Sequence, residues 1–394
     1  MRAIHPFPAR MAPETIDELI AGLPASASVL DPMCGSGVVV RQAAKRGLAA
    51  AGYDVDPLAV LMSRVWSRSR SVRRSLVVAQ DVVERACRTR LGAIDLPWID
   101  ECPETKRFVR YWFADSQRRQ LRRLSHVVAG GSSDIPAHIR DCLWLALSRI
   151  IITKHAGASL AWDVPHSRPH KMRETNDFDV FSMFIRSVAK LAEILEEEPL
   201  ARSARVRRGD CRDLSTVTAQ TFDAVITSPP YLNAIDYLRG HKLSLVWMGH
   251  SIPSLRRVRA ASIGTEAARM TNAHGPADYD HALQCVPNVL RVPLRQQNII
   301  RRYASDASIF LREMHRIMKP GGRLALVLGD SNIRGQHIEN SKLFAALAHQ
   351  AGFAKTSQRR RALEENRRYL PVTSRNNSLE NRMRYEVIQT YVAA

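Results

Sequence analysis

The chain has 394 residues, 45% hydrophobic and 24% charged, an ordinary composition for a soluble globular protein with room for one large domain or two. Its formal net charge of +20 predicts a polyanionic partner, because cationic surfaces bind phosphate backbones by releasing counterions. No apolar run is long enough to span a bilayer, no secretory leader is recognisable, and no two of the six cysteines have metal-ligand spacing. We therefore expect a cytoplasmic protein without a membrane partner or a metal site.

The first elements in chain order predict a β-α-β unit. Residues 13–22, "PETIDELIAG", indicate a short helix with proline in its first turn and glycine at its end. "ASVLDPMCGSG" then predicts a strand and a glycine turn, "VVVRQAAKRG" a helix, "LAAAGYDVDP" a second strand and "LAVLMSRVWSRS" a second helix. This order indicates a parallel sheet with helices on both faces.

The middle of the chain departs from this pattern. From about Arg68 to Arg202 the sequence is mostly helical and basic, with 15 Lys/Arg against 7 Asp/Glu between Arg64 and Arg123. Strands return at "ARVRRGDCRDL" and "FDAVITSPPY", and an irregular stretch follows. The predicted core takes residues 1–67 and 203–394, with a basic insertion at 68–202 and a second insertion at 232–304.

The last part of the core has the same strand and helix pattern. "ASIFLREMHRIM" predicts a helix, "KPGG" a turn and "RLALVLGDS" a strand. The helix "SKLFAALAHQAG" leads to two closing segments, around 353–363 and at "MRYEVIQTYV".

The glycine turn "DPMCGSG", Asp31 to Gly37, follows a strand and opens a helix. Glycines allow close approach of a ligand to the backbone, and a helix N-terminus is mildly positive. Asp54 ends the second strand 23 residues after Asp31, a spacing typical of a carboxylate that grips ribose hydroxyls. Position 40 is Val40, so the third glycine of the dinucleotide fingerprint is missing. The turn predicts a nucleoside cofactor without pyrophosphate; a plain structural turn is the alternative.

A second motif ends the strand "DAVIT" with Ser228, Pro229, Pro230 and Tyr231. Proline has no N–H and a fixed φ, so the pair stops sheet pairing and stiffens the backbone that follows. Rigid strand ends are where α/β proteins place chemistry. The motif predicts a preformed shelf with an aromatic ring beside it, the alternative being a rigid turn.

Both motifs resemble those of one enzyme family. "VLDPMCGSG" resembles the S-adenosylmethionine (SAM) turn of class I methyltransferases, and "TSPPY" resembles the catalytic motif of amino-methylating DNA methyltransferases. The Ser-Pro-Pro-Tyr form is typical of the cytosine-N4 branch and Asp-Pro-Pro-Tyr of the adenine-N6 branch. "HPFPARMAPETI" and "MKPGG" also resemble family segments, so the resemblance covers roughly residues 4–66 and 203–394.

The resemblance implies an α/β fold, the Rossmann-like class I SAM-dependent methyltransferase fold, with a seven-stranded, mostly parallel sheet and helical insertions. The cofactor motifs precede the catalytic one here, whereas many cytosine-N4 enzymes have the opposite order. The order therefore does not locate the element that recognises the target.

The resemblance and the motif positions also assign roles. The turn around Asp31, Cys34, Gly35 and Gly37 should hold the methionine portion of SAM, and Asp54 the ribose. The resemblance assigns Asp210 to the adenine amino group and Phe7 to the adenine ring; a helix N-cap and a core phenylalanine are the alternatives.

The predicted chemistry is direct attack by an exocyclic amine on the SAM methyl group. Ser228 Oγ and a carbonyl of the Pro-Pro segment would accept the amino hydrogens, and Tyr231 would stack on a base extruded from the duplex. Cytosine-C5 methylation is disfavoured, because it needs a cysteine nucleophile and the chain has no Pro-Cys dipeptide.

Basic runs that contain aromatics predict contacts to DNA, although a single charge run is usually a solvated face. The basic insertion is the first candidate for target recognition and the second insertion competes with it. The candidate DNA-binding residues are Arg110, Arg118, Arg122, Arg168, Lys171, Asn233, Arg239 and Lys242. A cognate restriction endonuclease is a candidate partner. Adenine-N6 methylation, RNA amino-methylation and a non-catalytic nucleic-acid-binding relative stay open as alternatives.

Overall fold

The structure is a computed structural model. It describes residues 4–5, 10–130, 135–153, 157–162, 170–171, 173–200, 202–232, 236–264, 277–363 and 384–394. The chain divides into two units. The sheet unit comprises Ala9–Val55, Ala204–Ile235 and Ala260–Ala394, and the helical unit comprises Met1–Pro8, Asp56–Ser203 and Asp236–Arg259.

Helices and strands alternate at both ends of the chain, and helices predominate between them. The described helices are α1 Pro13–Ile20, α2 Val38–Lys45, α3 Pro57–Trp66, α4 Ser75–Arg88, α5 Pro97–Asp100, α6 Pro103–Trp112, α7 Asp115–Ala129, α8 Ala137–Ile151, α9 Val180–Glu197, α10 Leu238–Leu245, α11 Ile252–Ala261, α12 Ala277–Gln284, α13 Leu294–Ile317 and α14 Asn340–Gln350. The described strands are β1 Ser28–Asp31, β2 Ala49–Asp54, β3 Ala161–Trp162, β4 His170–Lys171, β5 Arg205–Arg208, β6 Phe222–Thr227, β7 Met318–Gly329, β8 Ser331–Ile333, β9 Gln336–Ile338, β10 Phe353–Ala362 and β11 Tyr385–Ala393.

Seven strands form the main sheet, in the order β10-β11-β7-β6-β1-β2-β5. Four neighbouring pairs are parallel: β5 with β2, β2 with β1, β1 with β6, and β6 with β7. β11 is antiparallel to both β7 and β10. Numbered by their sequence in the chain, the strands read 3-2-1-4-5-7-6, with the seventh reversed. The predicted seven-stranded, mostly parallel sheet is confirmed.

Helices cover both faces of the sheet. Gln389 of β11 donates from Nε2 to Ser341 O at the start of α14, 2.9 Å away. On the opposite face, Arg359, which pairs with Ile388, forms an ion pair with Glu18 of α1. The apolar core of the sheet unit lies between the sheet and α12 to α14, where buried Phe310 and Phe344 pack with strand residues.

The turn predicted at "KPGG" lies inside β7. This strand begins at Met318, directly after α13 ends, and Met318 pairs with Phe222. The next pair joins Ala224 to Arg323, so the four residues between them bulge out of register. Gly321, at φ +73°, supplies the left-handed conformation that this bulge needs.

The helical unit is built around α8, which is buried along most of its length and packs against α3, α4, α9 and α10. The boundaries of the two units differ from those predicted for the core and the insertions, because α3 and α10 belong to the same unit as the basic helices. The domain division made from the sequence stays a prediction. In the described part of the chain, no helix combines the length and apolar character needed to cross a bilayer.

Candidate active site

The glycine turn and the Ser-Pro-Pro-Tyr motif lie at the same edge of the sheet. β1 and β6 are parallel neighbours, and the chain leaves β1 toward β2 but leaves β6 toward β7, on the other side. Ligands of α/β sheets bind at the carboxyl ends of the strands, where the strand order reverses in this way. Thr227, the last residue of β6, donates from Oγ1 to Oδ1 of Asp31, the last residue of β1, over 2.7 Å.

The glycine turn is held by the end of β2. Gly35 N donates to Asp54 Oδ2 over 2.9 Å, and Cys34 N donates to Tyr53 O over 2.9 Å. Gly35 at φ +48° and Gly37 at φ +88° are left-handed, and Gly37 N closes the turn on Cys34 O at 2.7 Å. The arrangement brings Asp31, Cys34, Gly35, Gly37 and Asp54 together, as the sequence predicted.

The missing third glycine has a packing explanation. A Cβ placed on Gly52 of β2 would lie 3.1 Å from Val40 Cγ1 and 3.2 Å from Cys34 Cβ. The close approach between α2 and the sheet therefore uses a glycine on the strand, and the larger Val40 occupies the helix side.

Asp31 has a perturbed pKa at this edge. Its side chain is buried, and burial raises its pKa from 3.8 to about 7. Hydrogen bonds from Thr227 and from Met33 N (3.2 Å) lower this pKa, whereas the nearby Asp54 raises it. Two carboxylates thus flank the turn, and the segment "DPMCGSG" has no cationic side chain. A cationic ligand suits this site better than a phosphate.

The Ser-Pro-Pro-Tyr backbone is held from outside β6. Ser228 Oγ donates to Val327 O of β7 over 3.0 Å. The fully buried Tyr303 of α13 donates its hydroxyl to Pro230 O over 2.8 Å, and Ser331 Oγ donates to Leu232 O over 2.6 Å. These bonds support a segment whose prolines cannot donate themselves.

Tyr231 is bonded to the last strand of the sheet. Its hydroxyl donates to Glu386 Oε1 over 3.2 Å and lies 3.4 Å from Ser228 Oγ. Glu386 Oε2 accepts from Arg361 Nη1 over 2.9 Å. Burial raises the pKa of Glu386 above its usual value.

Two type II methyltransferases are similar to the chain over most of their length. M.BsoBI of Geobacillus stearothermophilus is 22% identical over 88% of this chain and 76% of its own. M.AvaI of Nostoc sp. (strain PCC 7120) is 20% identical over 82% of this chain and 73% of its own. No protein-family model matches the chain.

The 3-2-1-4-5-7-6 sheet with its reversed last strand identifies the fold. The chain has the fold of the class I SAM-dependent methyltransferases. A solved structure of a putative DNA modification methylase from Thermus thermophilus is 16% identical over 47% of this chain and 51% of its own, with a TM-score of 0.25. That score is too low to add to the assignment.

SAM is the cofactor that this fold supports. When bound, it supplies an electrophilic methyl group on a sulfonium. The site fits such a ligand, because two carboxylates flank the turn and the turn itself has no cationic side chain. Asp54 accepts from Gly35 N through Oδ2, and the ribose is its predicted ligand. The individual contacts to SAM stay predictions.

Asp210 lies two residues past β5 and already binds a cation. Its Oδ2 accepts from Arg212 Nη2 over 2.6 Å, and Oδ1 accepts from Arg212 N over 3.0 Å. Arg212 Nη1 also reaches Asp306 Oδ1 at 2.5 Å. No helix follows Asp210 in the described residues around it, so the N-cap alternative is wrong. The adenine contact stays a prediction, with Arg212 orienting the carboxylate.

Several predicted DNA-binding residues form ion pairs inside the helical unit. Arg122 binds Asp100 through both terminal nitrogens at 2.8 Å each. Other pairs join Arg118 to Asp115, Arg239 to Asp236 (3.1 Å) and Lys171 to Glu174 (2.6 Å). These side chains brace the unit as well as carrying charge, whereas Arg110 on α6 is exposed.

Two lysines of the helical unit lie over exposed or half-buried aromatic rings of α6. Lys171 Nζ lies 5.6 Å from the centre of the Tyr111 ring, and Lys242 Nζ lies 5.3 Å from that of Phe108. Burial lowers the pKa of Lys242. Phe7, Arg168 and Asn233 fall outside the described residues.

Sequence reasoning missed the groups that hold the catalytic segment: Thr227, Tyr303, Val327, Arg361 and Glu386. Thr227 had a signal, since a polar residue ends an otherwise apolar strand. Tyr303 and Glu386 are 73 and 155 residues away from their partners, and no local pattern marks them.

Proposed function

We propose that this methyltransferase transfers the SAM methyl group to the exocyclic N4 amine of cytosine in DNA, at specific sites. The observation that carries the proposal is the Ser228 hydroxyl. It donates its only hydrogen to Val327 O, so the lone pairs of its oxygen are left to accept from another donor. The Ser228 hydroxyl lies at the carboxyl end of β6, next to the Thr227 that bonds Asp31, and ligands of α/β sheets bind at this edge.

The chemistry needs two acceptors for the amino hydrogens. The cytosine amine is a poor nucleophile, since its lone pair is delocalised into the ring, and hydrogen bonds to acceptors turn the nitrogen toward sp³ geometry. Ser228 Oγ is the first acceptor. Pro230 O already accepts from Tyr303, so we assign the second to the carbonyl of Ser228 or Pro229. The N–C bond then forms as the C–S bond breaks, and the nitrogen releases a proton; positioning supplies most of the rate.

DNA is the substrate that the charge and the relatives favour. The net charge of +20 attracts a polyanion, and the chain is similar to M.BsoBI and M.AvaI, which are type II methyltransferases. The target base must leave the stack to reach the sheet edge. Tyr231 would stack on it, with its ring fixed by the bond between its hydroxyl and Glu386. We assign target recognition to the basic helical insertion and include a cognate endonuclease and a cytoplasmic location in the proposal.

The deciding experiment follows tritiated methyl groups from SAM into plasmid DNA, which is then digested to nucleosides and resolved by mass spectrometry. Ser228→Ala and Tyr231→Ala are run beside Ser215→Ala, a control at an exposed serine of the sheet unit. We expect N4-methylcytosine with the unchanged chain and the control, and its loss in the other two variants.

Other outcomes separate the alternatives. N6-methyladenine would keep the fold and mechanism and overturn the choice of base. Label in RNA alone would overturn DNA as the substrate. A chain that binds SAM in calorimetry but labels neither nucleic acid would contradict the proposal as a whole.

A further inference from the structure

Two leucine side chains extend into solvent just before and at the start of α13. Leu290 is 80% exposed and Leu294 is 73% exposed, whereas the valines between them and before them, Val289 and Val292, are buried. Large apolar side chains with this exposure are unusual in pairs on a soluble protein. We call residues 288–295 the projecting segment.

The projecting segment is anchored. Asn288 adopts the left-handed conformation at φ +74° and donates from Nδ2 to His337 O over 3.1 Å. Gln297 Nε2 donates to Val292 O over 2.9 Å and to Leu290 O over 3.4 Å. With two buried valines as well, the backbone that carries the leucines is fixed in place.

The projecting segment lies on the catalytic side of the sheet. α13 ends at Ile317, next to Met318, which pairs with the first residue of β6. Tyr303 reaches Pro230 at the opposite, carboxyl edge. Leu294 is nine residues before Tyr303, which is about 13 Å along a helix axis. The leucines therefore stand beyond the edge that holds Ser-Pro-Pro-Tyr.

The charge around the leucines fits one class of partner. Residues 281–302 contain four arginines and no acidic residue, and Arg291 and Arg295, next to the leucines, are exposed. Apolar side chains flanked by arginine suit insertion between base steps with phosphate contacts beside it. A symmetric contact between two copies of the segment would instead bring like charges together.

We propose that Leu290 and Leu294 enter the DNA duplex next to the target base and keep the stack open while the base lies in the active site. Arg291 and Arg295 bind the flanking phosphates. The inference rests on the proposed function, and it assigns the opening of the duplex to a segment outside the Ser-Pro-Pro-Tyr motif.

The test compares two duplexes once the methylated site has been mapped on plasmid DNA. One is fully paired, and the other lacks the base opposite the target, which is then already partly unstacked. The variant is Leu290→Ser/Leu294→Ser, and the control is Ala354→Ser, at an exposed alanine of β10 outside the insertions. In the leucine variant, we expect methyl transfer to the paired duplex to fall at least about tenfold relative to the unchanged chain. Transfer to the duplex that lacks the opposite base should fall less than about threefold.

Equal losses on both duplexes, or no loss on either, would overturn the wedge. A change from dimer to monomer on gel filtration in the leucine variant would instead make the segment a contact between copies. Failure of the proposed function shows separately, as absence of DNA methylation by the unchanged chain. Arg291→Gln/Arg295→Gln should weaken binding to every duplex and reduce the salt dependence of log K by about two; an unchanged slope would remove the phosphate contacts.

Discussion

Asp31→Asn tests whether Asp31, buried at the end of β1, binds SAM in its ionised carboxylate form. The substitution is nearly isosteric, and the amide oxygen can still accept from Thr227 and from Met33 N. With a pKa of about 7, Asp31 is about nine-tenths ionised at about pH 8 and about one-tenth ionised at about pH 6.

The expected size of the effect follows from these fractions. If only the carboxylate form binds the cationic methionine portion, the Kd for SAM rises about tenfold from about pH 8 to about pH 6. Asp31→Asn should bind weakly at both values. The ratio of wild-type to variant Kd removes the titration of SAM itself, which both proteins share.

Titration calorimetry across this range measures both Kd values. A ratio that does not change with pH would refute the argument, because it would show that the charge of Asp31 is not used in binding. Equal affinity of the two proteins at about pH 8 would refute it more directly.

The raised pKa of Asp31 also predicts that Asp31→Asn stabilises the fold in the absence of SAM, although it weakens SAM binding. Folding raises the pKa of Asp31 from 3.8 to about 7, so its stabilising contribution is full below 3.8 and is lost as the pH rises through about 7. The loss amounts to at most about 4 kcal/mol. Without SAM, Asp31→Asn should therefore gain resistance to urea relative to wild type between about pH 5 and about pH 8; a gain that falls with rising pH would contradict the sign.

Substitutions at three further positions probe the supports of the site. Tyr303→Phe removes the donor to Pro230 O and should cost about 1 kcal/mol in urea unfolding. It should also lower single-turnover methylation, and unchanged turnover would show that the bond only stabilises. Gly37→Ala, at φ +88°, should cost about 1–2 kcal/mol and weaken SAM binding in calorimetry; wild-type affinity would show that the turn tolerates a side chain. Glu386→Leu should lower kcat with little change in KM for SAM, and Glu386→Gln, which keeps an acceptor for Tyr231, should fall between it and wild type. Equal kcat values for both variants would contradict the positioning of Tyr231.

The parts of the site that were predictable are those built from local contacts. The strand, glycine turn and helix from Ser28 to Lys45 follow each other without a break, and Asp54 ends the next strand. Their periodicity and turn residues are visible in the sequence. The parallel pairing of β1 with β2 follows from this order, so five of the predicted cofactor positions come together.

Charge runs were less informative, because a sequence does not show which arginines are already paired. Nothing in "RRQLRR" indicates that Arg118 and Arg122 are paired, yet they form ion pairs with Asp115 and Asp100. The leucines of the projecting segment were invisible for a related reason. Whether an apolar side chain is buried depends on the surface it meets, and "VLRVPL" alone does not distinguish Leu290 from Val292.

The contact between Tyr231 and Glu386 follows from the one reversed strand of the sheet. Strands that run parallel to β6 bring only their last residues to its carboxyl edge, as Asp31 shows. β11 runs the other way, so its second residue, Glu386, lies opposite Gly329 at the end of β7. β10, antiparallel to β11, brings its late residue Arg361 to the same place. The antiparallel pair β10 and β11, at the end of the chain, therefore contributes an ion pair to the catalytic edge. Sequence spacing gives no indication of this contact.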